Sequence, residues 1–190
     1  MVDTDTVLEF VEVARAEAGR RIVVGVSGYC GAGKSTLARS LAEHTDIVRL
    51  RGDDFLDPAR SHRRSSDWDG VERVRLADEV LRPFHEGRGG AFRPYDWNLG
   101  CLGDPRPLPT AEVIVVDLIG LFHPETVNLL DVRIWMDLDL ATAAERGKAR
   151  DDALGRSHAR LWDEVWVPND RDFAERFRPR DQAHLIVDSR

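Results

Sequence analysis

The sequence predicts an α/β fold in which a parallel sheet carries helices on both faces. Three observations predict it. Apolar runs near 21–27, 47–51, 112–117, 132–137 and 184–188 are nearly continuous rather than alternating, as in strands buried on both sides. Segments with helical spacing of apolar residues fall between them, near 34–44, 71–85 and from about 140. A glycine-rich turn joins the first run directly to the helix that follows it.

Residues 5–18 read as a helix, with Val7, Leu8, Val11 and Ala14 on one side. The run Arg21-Ile22-Val23-Val24-Gly25-Val26-Ser27 is β-branched and short, a first strand. In the next helix Leu37 and Leu41 stand four apart, with Ala38 and Ala42 beside them. Ile47-Val48-Arg49-Leu50-Arg51 ends at Gly52-Asp53-Asp54-Phe55, and 57–69 is a polar loop. Over 71–85 the spacing puts Val71, Val74, Ala77, Leu81 and Phe84 on one face; Asp69, with Glu72 three residues on, predicts an N-cap. Residues 87–110 form a long connection rich in Gly and Pro that carries Phe92, Tyr95 and Trp97, the length at which connections are functional or disordered. Strands 112–117, 132–137 and 184–188 complete the sheet, with a helix from about Leu140. Ligands of such sheets sit beyond the carboxyl ends of the strands. The glycine-rich loop, Asp53 and Asp117 all fall there.

The chain has 190 residues, enough for one domain with a real core, and no internal repeat or linker divides it. A net charge of −7 argues against a protein that coats nucleic acid. Two cysteines, Cys30 and Cys101, are too few for a disulfide scaffold, and a reducing cytosol follows. Met1 to Thr6 is acidic and lacks the apolar stretch of a signal peptide. No apolar run reaches the length of a membrane span. The expectation is a cytoplasmic protein with no nucleic-acid or membrane partner. The histidines show no metal-ligand spacing and read as incidental. No apolar stripe reveals an oligomeric state.

Residues 28–36, Gly28-Tyr29-Cys30-Gly31-Ala32-Gly33-Lys34-Ser35-Thr36, match G-x-x-x-x-G-K-[ST], a phosphate-binding loop. Gly28, Gly31, Ala32 and Gly33 let the backbone bring N–H groups close to phosphate oxygens. The helix opening near Lys34 aims its unpaired N–H groups and positive end at the same anion. Lys34 reaches the terminal phosphates, Ser35 ligates magnesium, and Thr36 closes the motif. Only Lys34 and Lys148 are lysines in an arginine-rich chain, so Lys34 marks a position where arginine does not serve. The ligand class is a nucleoside triphosphate with Mg2+, and the fold is the three-layer P-loop NTPase type. Asp117, ending an apolar strand, is the acid expected near magnesium, directly or through water. Asp53 is a candidate base beside the hydroxyl that receives a phosphoryl group.

Gly25-Val26-Ser27-Gly28 with Gly33-Lys34-Ser35-Thr36, Asp53-Asp54-Phe55-Leu56, Pro94-Tyr95-Asp96-Trp97 and Arg150-Asp151 together resemble the uridine kinase group. That group belongs to the wider phosphoribulokinase and pantothenate kinase superfamily. The likeness covers about 20–188 of the single domain 1–190, whose residues 1–19 form an N-terminal helix. It implies a small arginine-bearing lid at about 140–160. It also implies Asp53 as catalytic base and Asp67 as the carboxylate holding sugar hydroxyls. Tyr95 and Trp97 become aromatic walls for base or substrate, and Asp117 the acid near magnesium. Arg146 and Arg150 become lid arginines that neutralise charge on the phosphates.

The chain departs from that pattern in three places. Asp117-Leu118 stands where the family usually has Glu-Gly, and leucine does not take a positive φ cheaply, so the local backbone is expected to differ. The pyrimidine-selecting histidine is absent near Gly100, and the lid offers few arginines beyond Arg150. The expected function is an ATP-dependent kinase that phosphorylates a hydroxyl of a small molecule, a nucleoside first. Pantothenate, a pyridine riboside or a sugar are alternative acceptors. A non-catalytic nucleotide-binding protein or a GTPase-type switch are alternatives of another class. Asp117-Leu118-Ile119-Gly120 fits the D-x-x-G form of a switch, but no Asn-Lys-x-Asp element follows.

Overall fold

The computed structural model describes residues 4–189. Met1 to Asp3, part of the acidic N-terminus read above, lie outside them. The core is a sheet of β1 (Ile22–Gly28), β2 (Ile47–Arg51), β3 (Val113–Asp117), β4 (Val132–Asp137) and β5 (Leu185–Asp188). The strand order is β2-β3-β1-β4-β5, and every pairing is parallel. Val26 of β1 stands opposite Asp117 of β3, and Asp117 opposite Arg51 of β2. That register puts the strand ends on one edge, where the phosphate loop and the acids emerge.

All residues of β1 and β3 are buried, as apolar strands in the middle of a two-faced sheet must be. The period of two sends alternate residues to opposite layers. Val24, Val26, Val113 and Val115 pack with α1 (Thr4–Ala18) and α2 (Lys34–Leu41), while Val23, Ile114 and Val116 join the opposite core. That second core also receives a helix over 73–85 (α3), through Leu76, Val80, Leu81 and Phe84. Helix α4 (Leu140–Ala153) follows β4, capped by Asp139, whose carboxylate accepts from the Thr142 N–H. A last helix over 159–177 (α5) brings Phe173 onto the second core. Among the described residues no helix is long and apolar enough to cross a membrane.

The expected helix over 71–85 is shorter at its start and differently faced. Val71 instead forms an antiparallel bridge with Leu56, and the helix begins at Arg73. Asp69 does not cap it; Glu72 occupies the cap position without accepting from the first helical N–H groups, and its carboxylate is held by the Arg75 side chain instead. One π turn, Ala77–Leu81, rotates the apolar face, so Val74 is 56% exposed and Leu76 takes its place inside. The helix predicted to end near residue 44 stops at Leu41. The polar loop contains one helical turn, Pro58–Ser61, capped by Asp57. The long connection is ordered as a hairpin: Ala91–Phe92 pairs with Arg106–Pro107, and Tyr95–Asp96 with Cys101–Leu102. Its tip is held by Asp96, whose carboxylate accepts from the Asn98 and Leu99 N–H groups. Phe92 stacks on Phe55, which anchors the hairpin over the sheet edge.

Candidate active site

A cleft of about 1160 Å³ opens at the carboxyl edge of the sheet. Its floor is the phosphate loop and the start of α2, and its walls are the turn after β2, the hairpin, α4 and the start of α5. Gly31 and Gly33 have φ of 87° and 93°, a region that only glycine enters cheaply. At Gly31 a side chain would also strike the Ala143 carbonyl of α4, 2.1 Å from the would-be Cβ. Gly31, Gly33, Lys34, Ser35 and Thr36 all line the cleft. Gly28 and the fully buried Ala32 lie beneath it and contribute backbone alone. The Lys34 ammonium donates to the Gly28 and Tyr29 carbonyls at 2.9 and 2.8 Å, so the cation is parked over its own loop.

Asp53 sits in the 3-10 turn Gly52–Phe55 that β2 runs into. It opens into the cleft, yet the surrounding protein strips away enough water to push its pKa up. The negative charge of Asp117 adds to the rise, while Lys34, Arg51 and Arg49 oppose it. Asp117 ends β3 as expected and lines the cleft. Sequence reasoning missed its partner. Arg49 of β2 grips both carboxylate oxygens, at 2.7 and 2.8 Å. The signal was available: Arg49 interrupts an apolar strand next to the one that Asp117 ends.

The donors fit a magnesium ion that keeps much of its own shell. Ser35 and Asp53 present oxygens to the cleft, and Asp117 retains lone pairs beyond those that meet Arg49. Among the described residues no group of three or more His, Cys, Asp or Glu side chains forms a dedicated cage. Mg2+ is usually held by one or two protein oxygens plus phosphates and waters, so none is required.

On α4, Arg146 and Arg150 line the cleft as expected, and Arg156 joins them after a turn at Gly155. Three arginines therefore line this wall of the cleft, one more than the two expected. Asp151 organises it. Its buried carboxylate accepts from the Trp162 indole at 2.9 Å and meets His158 at 3.2 Å, Arg150 at 3.1 Å and Arg156 at 3.7 Å. Burial opposes its ionisation, but the bonds from Trp162, His158 and Arg150 outweigh it and hold the pKa below the usual carboxylate range. Trp162 lies against Gly147, where any Cβ would come within 2.1 Å of the indole.

Tyr95 and Trp97 meet edge to face at 5.0 Å in the hairpin, and both line the cleft. Asp67 does not. Its carboxylate accepts from the Ser65 hydroxyl at 2.7 Å and faces Arg176 at 3.8 Å, outside the cleft wall; its neighbour Trp68 takes the wall position. His62 and His158, read as incidental, both line the cleft around Trp166, at ring distances of 5.9 and 5.3 Å. Burial and the nearby His158 push the His62 pKa down, so His62 is neutral near pH 7. No spacing could have found this pair, because tertiary structure brings together two residues with 95 others between them. Leu118 itself takes no positive φ. It is buried, its N–H donates to the Val26 carbonyl, and the positive φ falls two residues later at Gly120.

A family model described as AAA domain matches residues 24–166, three quarters of the chain. No curated protein matches the sequence significantly. Among solved structures, one described as a "possible uridine kinase" from Bacillus stearothermophilus aligns with a TM-score of 0.68 at 14% identity, covering 95% of this chain and 97% of the other. A "putative fructose transport system kinase" from Silicibacter sp. TM1040 aligns with a TM-score of 0.68 at 18% identity, covering 88% and 89%. A shikimate kinase from Acinetobacter baumannii reaches 0.54 at 12% identity, covering 90% and 84%. At such identities the likeness is one of fold. With its phosphate loop at the carboxyl edge of a β2-β3-β1-β4-β5 sheet, the chain has a P-loop kinase-like fold and belongs to this AAA domain family.

Proposed function

We propose that the chain is an ATP-dependent kinase that transfers the γ-phosphoryl group to a hydroxyl of a small molecule, with a nucleoside as the acceptor. One observation carries the reading: Asp53, Lys34 and the arginines of α4 all open onto a single cleft. Asp53 takes the proton of the acceptor hydroxyl, and its raised pKa makes it a better base than an ordinary carboxylate. Lys34 leaves the carbonyls of Gly28 and Tyr29 for the terminal phosphates. Arg146, Arg150 and Arg156 neutralise charge as the phosphoryl group moves, in a site that Trp162 and Trp166 help to keep dry. Ser35 and Asp117, the latter through water, would hold Mg2+, which supplies charge neutralisation at the phosphates. Tyr95 and Trp97 offer flat faces to a nucleobase. Asp67, outside the cleft, has no part in this reading. Residues 140–160 act as the lid within a single domain. The free Cys30 and Cys101 fit a reducing cytoplasm.

The test is ATP consumption across nucleosides, pyridine ribosides, pantothenate and sugars, with Asp53→Asn as the blank. Turnover with one acceptor class, abolished in the blank, is expected. Mg-ATP binding without turnover on any acceptor would overturn the kinase reading in favour of a non-catalytic nucleotide-binding protein.

A further inference from the structure

Helix α5 carries two adjacent buried polar residues that the chemistry above does not use. Asn169 and Asp170 are both nearly inaccessible to solvent. Successive helical residues diverge by about 100° around the axis, so the two reach different partners. Asn169 accepts from the Ser65 N–H at 2.9 Å and from Arg64, and donates to the Arg63 carbonyl at 2.9 Å. Asp170 turns to two residues that line the cleft, Cys30 and Trp68. One of its oxygens accepts from the Cys30 N–H of the phosphate loop at 2.7 Å. The other accepts from the Trp68 indole N–H at 3.1 Å.

We propose that Asp170 is a positioning residue that holds the phosphate loop and the Trp68 wall of the cleft in one rigid frame. Trp68 has φ of 56°, a left-handed conformation that a bulky residue adopts only at a cost. A strained residue persists only where its surroundings over-determine it. Here Asp170 holds the side chain, and Arg73 donates to the Trp68 carbonyl at 3.1 Å. The residue type matters. Two N–H donors arrive at two different oxygens, which an ionised carboxylate accepts and an amide cannot, since one of its two ends is itself a donor. Lys34 faces the same carboxylate and favours its charge against the cost of burial. Tyr29 and Cys30 are the other titratable groups coupled to it. The bridge fixes the span between where phosphates sit and where an acceptor packs, the quantity on which in-line transfer depends most steeply.

The nucleotide arm of this proposal needs only the phosphate loop; the acceptor arm rests on the kinase reading. The experiment compares Asp170→Asn, Trp68→Phe and the double variant, measuring Mg-ADP affinity by calorimetry and acceptor KM by turnover. Asp170→Asn is expected to weaken Mg-ADP and to raise acceptor KM, each by about 10-fold. Trp68→Phe, which loses only the indole donor, is expected to raise acceptor KM and leave Mg-ADP within about 2-fold. The double variant should be no worse for the acceptor than Asp170→Asn alone, because both remove one link. If Asp170→Asn lowers melting temperature while both constants stay within about 2-fold of wild type, the carboxylate is structural and the proposal fails. Additive KM effects would equally overturn the shared frame. If no acceptor is ever phosphorylated, the kinase reading falls and the Mg-ADP arm still decides whether Asp170 positions the loop. Should Asp170→Asn not fold, Trp68→Phe carries the decision: an acceptor KM unchanged from wild type overturns the proposal.

Discussion

Arg49 forks onto Asp117 across neighbouring strands, Nε on one carboxylate oxygen at 2.7 Å and a terminal nitrogen on the other at 2.8 Å. Asp117 is buried and lines the cleft with the proposed base, and Arg49 is half-buried beside it. Asp117 raises the pKa of Asp53 and Arg49 lowers it, so the pair keeps the second acid from over-protonating the first. Arg49→Ala leaves Asp117 uncompensated. The pKa of Asp53 then rises further, and the acid limb of kcat/KM moves to higher pH by about one unit. A pH–rate profile checks this, and an unmoved limb would separate Asp53 from the pair.

Asp53→Asn tests the base itself. The amide keeps the shape of the side chain but cannot accept a proton at neutral pH. Turnover should fall at least ~100-fold while ATP affinity changes little. Lys34→Ala behaves differently, weakening nucleotide binding and rate together, because the ammonium meets the phosphates before and during transfer. Binding and single-turnover measurements on both variants separate the roles. A turnover near wild type in Asp53→Asn would remove it from the chemistry.

The Gly147–Trp162 contact leaves no room for a methyl group, since the would-be Cβ lies 2.1 Å from the indole ring. Gly147→Ala forces Trp162 outward and loosens its bond to Asp151, at a cost of about 1–3 kcal/mol. Melting temperature should drop by several degrees and Trp162 fluorescence should shift toward solvent. Turnover should fall more than nucleotide affinity, because Arg150 and Arg156 take their positions from Asp151. A variant as stable as wild type would mean that α4 and α5 slide apart freely.

What was legible in the sequence was what local chemistry dictates. The phosphate loop and strands β1 to β5 follow from glycine spacing and from buried apolar runs, which admit few other structures. Asp53 and Asp117 were legible because strand ends are fixed points in a parallel sheet. Residues placed by long-range packing were not. The helix over 73–85 lost Val74 from its buried face because a π turn, invisible to a 3.6-residue count, adds one residue at Ala77–Leu81. Asp67 and Trp68 are neighbours in sequence, but the left-handed φ at Trp68 decides which one meets the cleft. His62 and His158 reach the site only through the packing of α5 against the loop over 61–69, and Arg156 through the turn at Gly155 that brings it back to Asp151. Arg49 interrupts its strand but carried no local signal of its role, because only the pairing of β2 with β3 brings it to Asp117.

Asp170 yields a last prediction, in the pH dependence of stability. Burial lifts its pKa to about 6, against the pull of Lys34 and the bonds from Cys30 and Trp68. The unfolded chain releases the same proton near pH 4. Between these values the native state binds a proton that the unfolded chain has lost, so stability falls as pH rises through the window. The loss is about 3 kcal/mol for a shift of roughly two units. Asp53 and Asp54, also raised by burial, act in the same direction, while Asp57, Asp137 and Asp151, all lowered, act in the opposite one. The difference between wild type and Asp170→Asn cancels these and isolates one group. Urea unfolding from pH 4 to 7.5 should show the variant gaining on wild type by about 3 kcal/mol across the window, with the gap constant above pH 7. Parallel curves would mean that the carboxylate is charged in the native state at no cost, and burial against Cys30 and Trp68 would not be what sets its titration.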